Sequence, residues 1–242
     1  MKKLILISGI LFLSLNVSWA QSGVNQRIPL IGSEAPSFKA QSTNGEISFP
    51  KDFGKNWKIL FAHPRDFTPV CSSEILELAF QQHEFTHLNT QLIVVSTDKI
   101  ESHQSWKSAL EEVEFKGRKP LRIDFPIVED FSYKIANSYG MLDSQFITGQ
   151  SVRGVFFIDP ENKVRAFYFY PNEVGRNIEE IKRTLVALQT HYANNRVVLP
   201  ANWTLGEDVM LPHLTPEEKN RMLSPDSDIY SKTWFMNYMK LK

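Results

Sequence analysis

The 242-residue chain contains one cysteine, Cys71, so its fold cannot depend on a disulfide bond within the chain. A chain of this length can instead bury a hydrophobic core large enough to be stable by itself. The thiol must then be a small buried hydrophobe, a bridge to another molecule or a reactive nucleophile. The residues around Cys71 favour the last of these three roles.

Thr68 and Pro69 predict that a helix begins just before the cysteine. A threonine hydroxyl commonly caps the first turn of a helix, and proline is favoured at the first helical position. Cys71 then lies in the first turn, close to unpaired backbone amides and the positive end of the helix dipole. This position favours the thiolate, which is the nucleophilic form of cysteine.

Residues 1–20 have the three-part pattern of a secretory signal peptide. Lys2 and Lys3 supply a positive start, Leu4–Val17 is an almost unbroken apolar run, and small residues precede the expected cleavage site. The apolar run is shorter than the roughly 20 residues that a membrane-spanning helix needs. We therefore expect an exported protein, periplasmic or secreted, that begins near Gln21 and has no membrane segment after cleavage.

The remaining chain alternates strand-like and helix-like segments, as α/β proteins do. Short apolar runs predict buried parallel strands at 58–62 and 91–96. Amphipathic or well-capped segments predict helices at 69–88, 102–112, 133–139 and 177–192. Asp159–Lys163 predicts a hairpin turn between strands at 154–158 and 164–170. This order predicts a mixed central sheet flanked by helices.

The segment after about Asn195 differs in composition from the rest of the chain. Prolines interrupt regular structure, and the pattern predicts only one short helix, from Pro216 to about Met222, capped by Thr215. The segment is predicted to be too short for a core of its own, yet it is rich in aromatic side chains: Trp203, Tyr230, Trp234, Phe235 and Tyr238. We expect these rings to be covered by the preceding domain or by a second copy of the chain.

The charges of the chain are balanced, with 27 basic and 27 acidic side chains. Removal of Lys2 and Lys3 leaves 25 against 27, a formal net charge of −2. Because no long basic run is present, the sequence argues against a nucleic-acid partner.

Several segments resemble the peroxiredoxins. Pro64, Thr68 and Cys71 have the spacing of the active-site signature of that family, and the run from His63 to Glu74 is most similar to its one-cysteine, peroxiredoxin-6-like branch. Further similar stretches lie at 153–158, 170–171, 175–177 and 199–203. The resemblance implies a thioredoxin-like fold over residues 27–194 and a C-terminal dimerisation extension over residues 195–242. It also implies thiol-dependent reduction of hydrogen peroxide and organic hydroperoxides.

The resemblance implies a role for each residue of the signature. Cys71 is expected to attack the peroxide and become a sulfenic acid. Thr68 is expected to hydrogen-bond the sulfur and the peroxide, Pro64 to shield the pocket, and Arg153 to hold the thiolate and polarise the peroxide. No metal ion or cofactor is implied, and two residues are expected to support the site without touching peroxide: His63 and Glu74.

The single cysteine also predicts how the enzyme is regenerated. A sulfenic acid at Cys71 has no resolving partner in this sequence, so we expect turnover to need an external thiol or a thioredoxin-like reductant. The one-cysteine relatives place their C-terminal extension across a two-fold related copy, which implies a homodimer. The alternative is a tail that folds back on its own domain.

Two other functions are left open by the sequence. His83, Glu84 and His87 match H-E-x-x-H, the helical signature of zinc-dependent hydrolases, in which the histidines bind zinc and the glutamate activates water. The longer form of that signature is not met, because Thr90 and Ile93 stand where glycine and histidine are required. The remaining alternative is a non-enzymatic thioredoxin-fold binding module with an incidental thiol.

Overall fold

The computed structural model describes residues 28–142 and 151–241, so the predicted signal peptide lies outside the described residues. Within these two ranges, no helix combines the length and apolarity needed to cross a bilayer. The helices are α1 (Pro69–His87), α2 (Ile100–Leu110), α3 (Lys134–Ser138), α4 (Ile178–Ala193) and α5 (Pro216–Met222). The strands are β1 (Phe38–Ser42), β2 (Gly45–Phe49), β3 (Trp57–Ala62), β4 (Thr90–Ser96), β5 (Ile127–Glu129), β6 (Arg153–Ile158), β7 (Val164–Tyr170), β8 (Val209–Leu211), β9 (Ile229–Thr233) and β10 (Met236–Met239).

The first seven strands form one mixed sheet in the order β2-β1-β5-β4-β3-β6-β7. Strands β3, β4 and β5 are parallel, whereas β6 and β7 continue the sheet in antiparallel fashion beside β3. The helices α1 and α2 connect the parallel strands, which is the arrangement that such crossovers require. The predicted mixed sheet flanked by helices is therefore confirmed.

The central strand β3 is buried on both faces because its residues alternate between two hydrophobic clusters. Ile59 and Phe61 pack with side chains of α1, α2 and α4, whereas Leu60 and Ala62 pack on the opposite face with side chains of α3. The predicted core face of α1 is confirmed, since its four apolar residues are buried: Ile75, Leu78, Ala79 and Phe85. Burial on both faces explains the continuous apolar sequence of β3.

Helix α2 begins two residues earlier than the sequence predicted. The carboxylate of Glu129 accepts a hydrogen bond from the backbone N–H of Ile100 at 2.7 Å. An acceptor from a distant strand thus satisfies an amide that the local sequence does not cap.

The prediction that the tail lacks a core of its own is wrong. Strands β8, β10 and β9 form a three-stranded antiparallel sheet. A small buried cluster lies on this sheet and also touches α4, and its members are Val197, Trp203, Val209, Leu211 and Ile229. The predicted helix α5 is confirmed, with Thr215 and Glu218 forming a reciprocal capping box.

Two aromatic side chains of the tail are not covered by any other part of the chain that the structure describes. Trp234 is 89% exposed and Phe235 is 57% exposed, and both lie in the turn that joins β9 and β10. Their rings contact each other edge to face, with centroids 5.1 Å apart. The hairpin between β9 and β10 therefore presents an apolar tip to solvent.

Candidate active site

The sulfur of Cys71 lies where β3 ends and α1 begins. Thr68 occupies the N-cap position with an extended backbone, and Pro69 is the first helical residue, as predicted. Cys71 falls in the first turn and is fully buried. The carboxyl end of a parallel strand followed by a helix N-terminus is a common location for sites that bind anions or activate nucleophiles.

Arg153, the first residue of β6, is the cation beside the sulfur. Its Nη1 donates to Cys71 Sγ at 3.3 Å and to Glu74 Oε2 at 2.7 Å. Its Nε and Nη2 both donate to the backbone oxygen of Asn172, at 3.1 and 2.7 Å. The guanidinium is 2% exposed and held on three sides. Its orientation toward the sulfur is therefore set before any substrate binds.

Glu74 lies one helical turn after Cys71 and is shared by two arginines. Arg176 donates to it from the backbone N and from Nε and Nη2, at 2.7 to 2.8 Å. The same guanidinium donates from Nη1 to the carbonyls of Ala62 and Gly154, both at 2.8 Å. Burial alone would raise the pKa of Glu74, but the hydrogen bonds from Arg176 outweigh it and hold that pKa below its usual range.

The charges of this cluster do not cancel. Arg153 and Arg176 carry two positive charges, and the ionised Glu74 carries one negative charge. A buried excess of positive charge is unfavourable unless an anion is present. The sulfur of Cys71, in contact with Arg153, is the position in this cluster at which an added negative charge would be stabilised.

Arg176 has no role that the local sequence indicates, although it lies in a stretch, 175–177, that resembles the family. Its partner Glu74 is 102 positions away in the sequence, so spacing could not have revealed the pair. The arginine within a matched stretch was the only available signal.

Thr68 differs from the expectation in one detail. Its hydroxyl does not cap α1 but donates to the backbone oxygen of Arg65 at 2.9 Å. This bond closes the loop that precedes the helix, and it uses the proton of the hydroxyl while the oxygen remains an acceptor. The expected hydrogen bond from Thr68 to the sulfur is not part of this geometry.

Pro64 and His63 lie at the start of the same loop and are both buried. His63 does not contact the sulfur. Its Nε2 shares a hydrogen bond with Asp66 Oδ1 at 2.9 Å, and its backbone oxygen accepts from Ser151 at 3.1 Å. His63 therefore supports the loop rather than the thiol.

The zinc alternative finds little support in the placement of its residues. His83, Glu84 and His87 are exposed on α1, and Glu84 forms an ion pair with Lys182 at 2.7 Å. Across the described ranges, no group of three or more histidine, cysteine or carboxylate side chains is arranged to hold a metal ion.

Comparison with known proteins finds relatives along most of the chain. Residues 31–167 match the AhpC/TSA family, and residues 187–224 match the C-terminal domain of 1-Cys peroxiredoxin. A peroxiredoxin of Methanosarcina mazei is 47% identical over 212 residues, covering 86% of this chain and 96% of that protein. Peroxiredoxin-6 of Sus scrofa is 38% identical over 201 residues, covering 81% of this chain and 88% of that protein.

Solved structures give the same picture. A yeast mitochondrial 1-Cys peroxiredoxin, studied for thiol resolution by glutathione and thioredoxin systems, superposes with a TM-score of 0.77 and 34% identity, covering 88% of this chain and all of that one. The peroxiredoxin 6 of Arenicola marina gives a TM-score of 0.76 with 29% identity, covering 88% of this chain and 98% of its own. These similarities confirm the predicted thioredoxin-like fold with a C-terminal extension.

Proposed function

The chain belongs to the peroxiredoxin family and is a thiol-dependent peroxidase, and on that premise we propose that it is an exported one-cysteine enzyme with Cys71 as its nucleophile. The observation that carries this assignment is the contact between Arg153 Nη1 and Cys71 Sγ at 3.3 Å, within a buried cluster that has an excess positive charge. Such a cluster stabilises a thiolate before the reaction and negative charge on oxygen during it.

The reaction divides into an oxidation and a reduction. The thiolate of Cys71 attacks one peroxide oxygen, the S–O bond forms as the O–O bond breaks, and the departing oxygen takes a proton to leave as water or an alcohol. An external thiol then attacks the sulfenic sulfur, releasing water and forming a mixed disulfide. A second thiol breaks that disulfide and restores Cys71. Pro64 and Thr68 lie in the loop that leads into α1, and they are proposed to shape the peroxide pocket beside the sulfur.

Arg153 is proposed to act throughout the oxidation step. Two of its nitrogens are held by the backbone oxygen of Asn172, and the third is directed at the sulfur. A guanidinium fixed in this way does not have to reorganise when charge moves from sulfur to the leaving oxygen. The nitrogen that is directed at the sulfur also donates to Glu74, and Arg176 in turn holds Glu74 in place.

We further propose that the mature protein is a homodimer joined mainly through its tail. The exposed pair Trp234 and Phe235 supports this, because adjacent exposed aromatic rings are typical of contact surfaces.

The proposal of export rests on the sequence of residues 1–20 alone. It is tested by determining the N-terminus of the protein recovered from the producing cell. We expect that N-terminus near Gln21, whereas an intact Met1 would contradict export with cleavage.

Stopped-flow kinetics with hydrogen peroxide and a small external thiol tests the peroxidase assignment. We expect rapid single-turnover oxidation in the wild type, sustained turnover only when the thiol is added, and no thiol-dependent activity in Cys71→Ser. Retained activity in Cys71→Ser would remove Cys71 from the reaction. Many turnovers by the wild type without a reductant would contradict regeneration by an external thiol.

A further inference from the structure

A buried carboxylate anchors the loop that precedes α1. Asp66 lies within this loop, residues 63–68, and its side chain is 1% exposed. Three donors converge on it: His63 Nε2 at 2.9 Å, His103 Nδ1 at 2.7 Å and Ser102 Oγ at 2.8 Å. Its own backbone N–H donates to Asp98 Oδ2 at 2.7 Å. The two histidines are fully buried as well.

These contacts connect α2 to both sides of the reactive cysteine. Ser102 and His103 are in the first turn of α2, so the loop before the cysteine is fixed to that helix. Trp106, one turn later, donates to Ser72 Oγ at 3.2 Å and so reaches the residue that follows Cys71. The ring of His63 packs on the ring of Trp106 with centroids 4.9 Å apart.

The anchored loop has a conformation that needs support. Phe67 is in the left-handed region, with φ 54°, which is unfavourable for an aromatic residue. Its neighbour Thr68 is tied back to the carbonyl of Arg65, the residue just before Asp66. The position of Thr68, and of the helix start beneath the sulfur, therefore depends on where Asp66 is held.

The protonation states of the cluster suit this anchoring. Burial alone would raise the pKa of Asp66, but the hydrogen bonds from His103 and His63 outweigh it and hold the pKa well below its usual range. Burial lowers the pKa of His63 against the opposing effect of its hydrogen bond to Asp66, and the charge of Arg176 lowers it further. At neutral pH, an anionic Asp66 thus accepts a proton-bearing nitrogen of a neutral His63.

We propose that Asp66 and His103 are positioning residues of the peroxidase, which hold the 63–68 loop so that Thr68 and the first turn of α1 present Cys71 to peroxide. They touch neither the sulfur nor Arg153. Their effect is transmitted through the loop, and the hydrogen bond from His103 Nδ1, together with that from Ser102 Oγ, joins the loop to α2. The proposal rests on the peroxidase activity assigned above.

Substitutions at His103 test the proposal, because two of them differ in whether they retain a hydrogen-bond donor to Asp66. The side-chain amide of His103→Asn places a donor near the position of Nδ1, whereas His103→Leu has a similar size and no donor. For single-turnover oxidation by hydrogen peroxide, we expect His103→Leu and Asp66→Asn to be slower by about 10- to 100-fold. We expect His103→Asn to recover most of the wild-type rate, and Ser102→Ala to be slowed only several-fold.

A second measurement separates positioning from a general loss of structure. Alkylation of Cys71 by iodoacetamide reports access to the buried thiol, and we expect it to change by less than threefold in the same variants. Asp130→Asn, which alters another buried carboxylate that caps α3, serves as the control and should keep the wild-type peroxide rate.

Three results would overturn the proposal. Equal rates in His103→Asn and His103→Leu would show that the donor to Asp66 is irrelevant. Slower oxidation accompanied by faster alkylation would show that the cluster only maintains the fold. Should Asp66→Asn fail to fold, the comparison of Ser102→Ala with wild type decides, and an unchanged peroxide rate in Ser102→Ala contradicts the proposal. A wild type that does not reduce peroxide would instead refute the assigned activity.

Discussion

The surroundings of Cys71 and the β9–β10 hairpin contrast in what they bury. Charged side chains are buried around Cys71, whereas apolar side chains are exposed at the hairpin. Around Cys71, two arginines and a glutamate are buried, and each has several partners from its own chain. In the hairpin, Trp234 and Phe235 are apolar, yet they are exposed to solvent. One region has its partners within a single copy of the chain, whereas the other has a surface that the described residues of a single copy do not cover.

This difference implies that the reactivity of the thiol and the oligomeric state depend on different regions of the chain. Cys71 and Glu74 come from α1, Arg153 from β6 and Arg176 from the loop before α4, all within one chain. We therefore expect changes near Cys71 to alter reactivity or stability without changing oligomeric state. Changes at the hairpin tip should alter oligomeric state and leave the reactivity of the thiol largely intact.

The largest effect is expected from Glu74→Gln, which removes the carboxylate that two buried arginines share. Breaking a buried ion pair by removing one member typically costs about 3–5 kcal/mol, so the free energy of unfolding should fall by that order. Glu77→Gln, on the same helix, is the matched control, because its ion pairs with Lys116 and Arg118 lie near the surface. Equal losses in the two variants, measured by denaturant unfolding, would contradict the special position of Glu74.

The pH dependence of this loss has a definite sign. Because the pKa of Glu74 is lowered in the folded state, its stabilising effect is complete above the ordinary carboxyl pKa of about 4.3. It is lost as the pH falls below that value and through the lower pKa of the folded state. The difference in stability between wild type and Glu74→Gln should therefore be largest near neutral pH and narrow in acid.

Arg153→Lys is expected to slow peroxide reduction about 100- to 1,000-fold, comparable to removal of one fixed donor from other charge-stabilising sites. An ammonium group cannot contact the sulfur, Glu74 and the backbone oxygen of Asn172 at the same time. Arg165→Lys, at a half-buried arginine of β7 that pairs with Asp159, should leave the rate unchanged. An unchanged rate in Arg153→Lys would exclude Arg153 from the reaction.

At the hairpin, Trp234→Ser is expected to weaken dimerisation at least tenfold, or about 1.4 kcal/mol, while thiol oxidation proceeds at the wild-type rate. Leu30→Ser is the control, since Leu30 is similarly exposed but lies far from the tail in sequence. Analytical ultracentrifugation over a range of concentrations measures both. This point variant is sharper than truncation at Asn195, because truncation would also uncover Val186 and Ala187 of α4. An unchanged dimer would show that the tip is not the contact.

The smallest effect is expected when a helix cap is removed in either region. Thr215→Ala removes the cap of α5 in the tail, and Asn177→Ala removes the cap of α4 in the catalytic domain. Each should cost about 1 kcal/mol locally. Because α5 has no buried residues, its loss should increase amide hydrogen exchange only within the tail. Global destabilisation by Thr215→Ala would show that the two regions fold as one unit.

The parts of the fold that the sequence predicted correctly are those specified by local patterns. Helix α1, the hairpin between β6 and β7 and the start of α5 at Thr215 each follow from residues a few positions apart. The tail sheet was missed because β8 and β10 pair across more than twenty residues that include α5, and no local pattern indicates such a pairing.

The same distinction applies to the active site. Cys71 and Pro69 are recognisable from their immediate neighbours, and Arg153 was chosen through resemblance to a family. The roles of Arg176 and His103 depend on partners 102 and 37 positions away, Glu74 and Asp66, so they become visible only in the folded chain. The hydroxyl of Thr68 was predicted to cap the helix, but it donates instead to the carbonyl of Arg65 in the preceding loop.

If Arg153 activates Cys71, the sulfur of Cys71 is the atom that peroxide oxidises first. Mass spectrometry after a sub-stoichiometric pulse of hydrogen peroxide, with a sulfenic-acid trap present, tests it most directly. We expect a trapped sulfenic acid on Cys71 in the wild type, and much less trapped sulfenic acid in Arg153→Lys under the same pulse. Oxidation that appears first on methionine, with Cys71 still a free thiol, would contradict it.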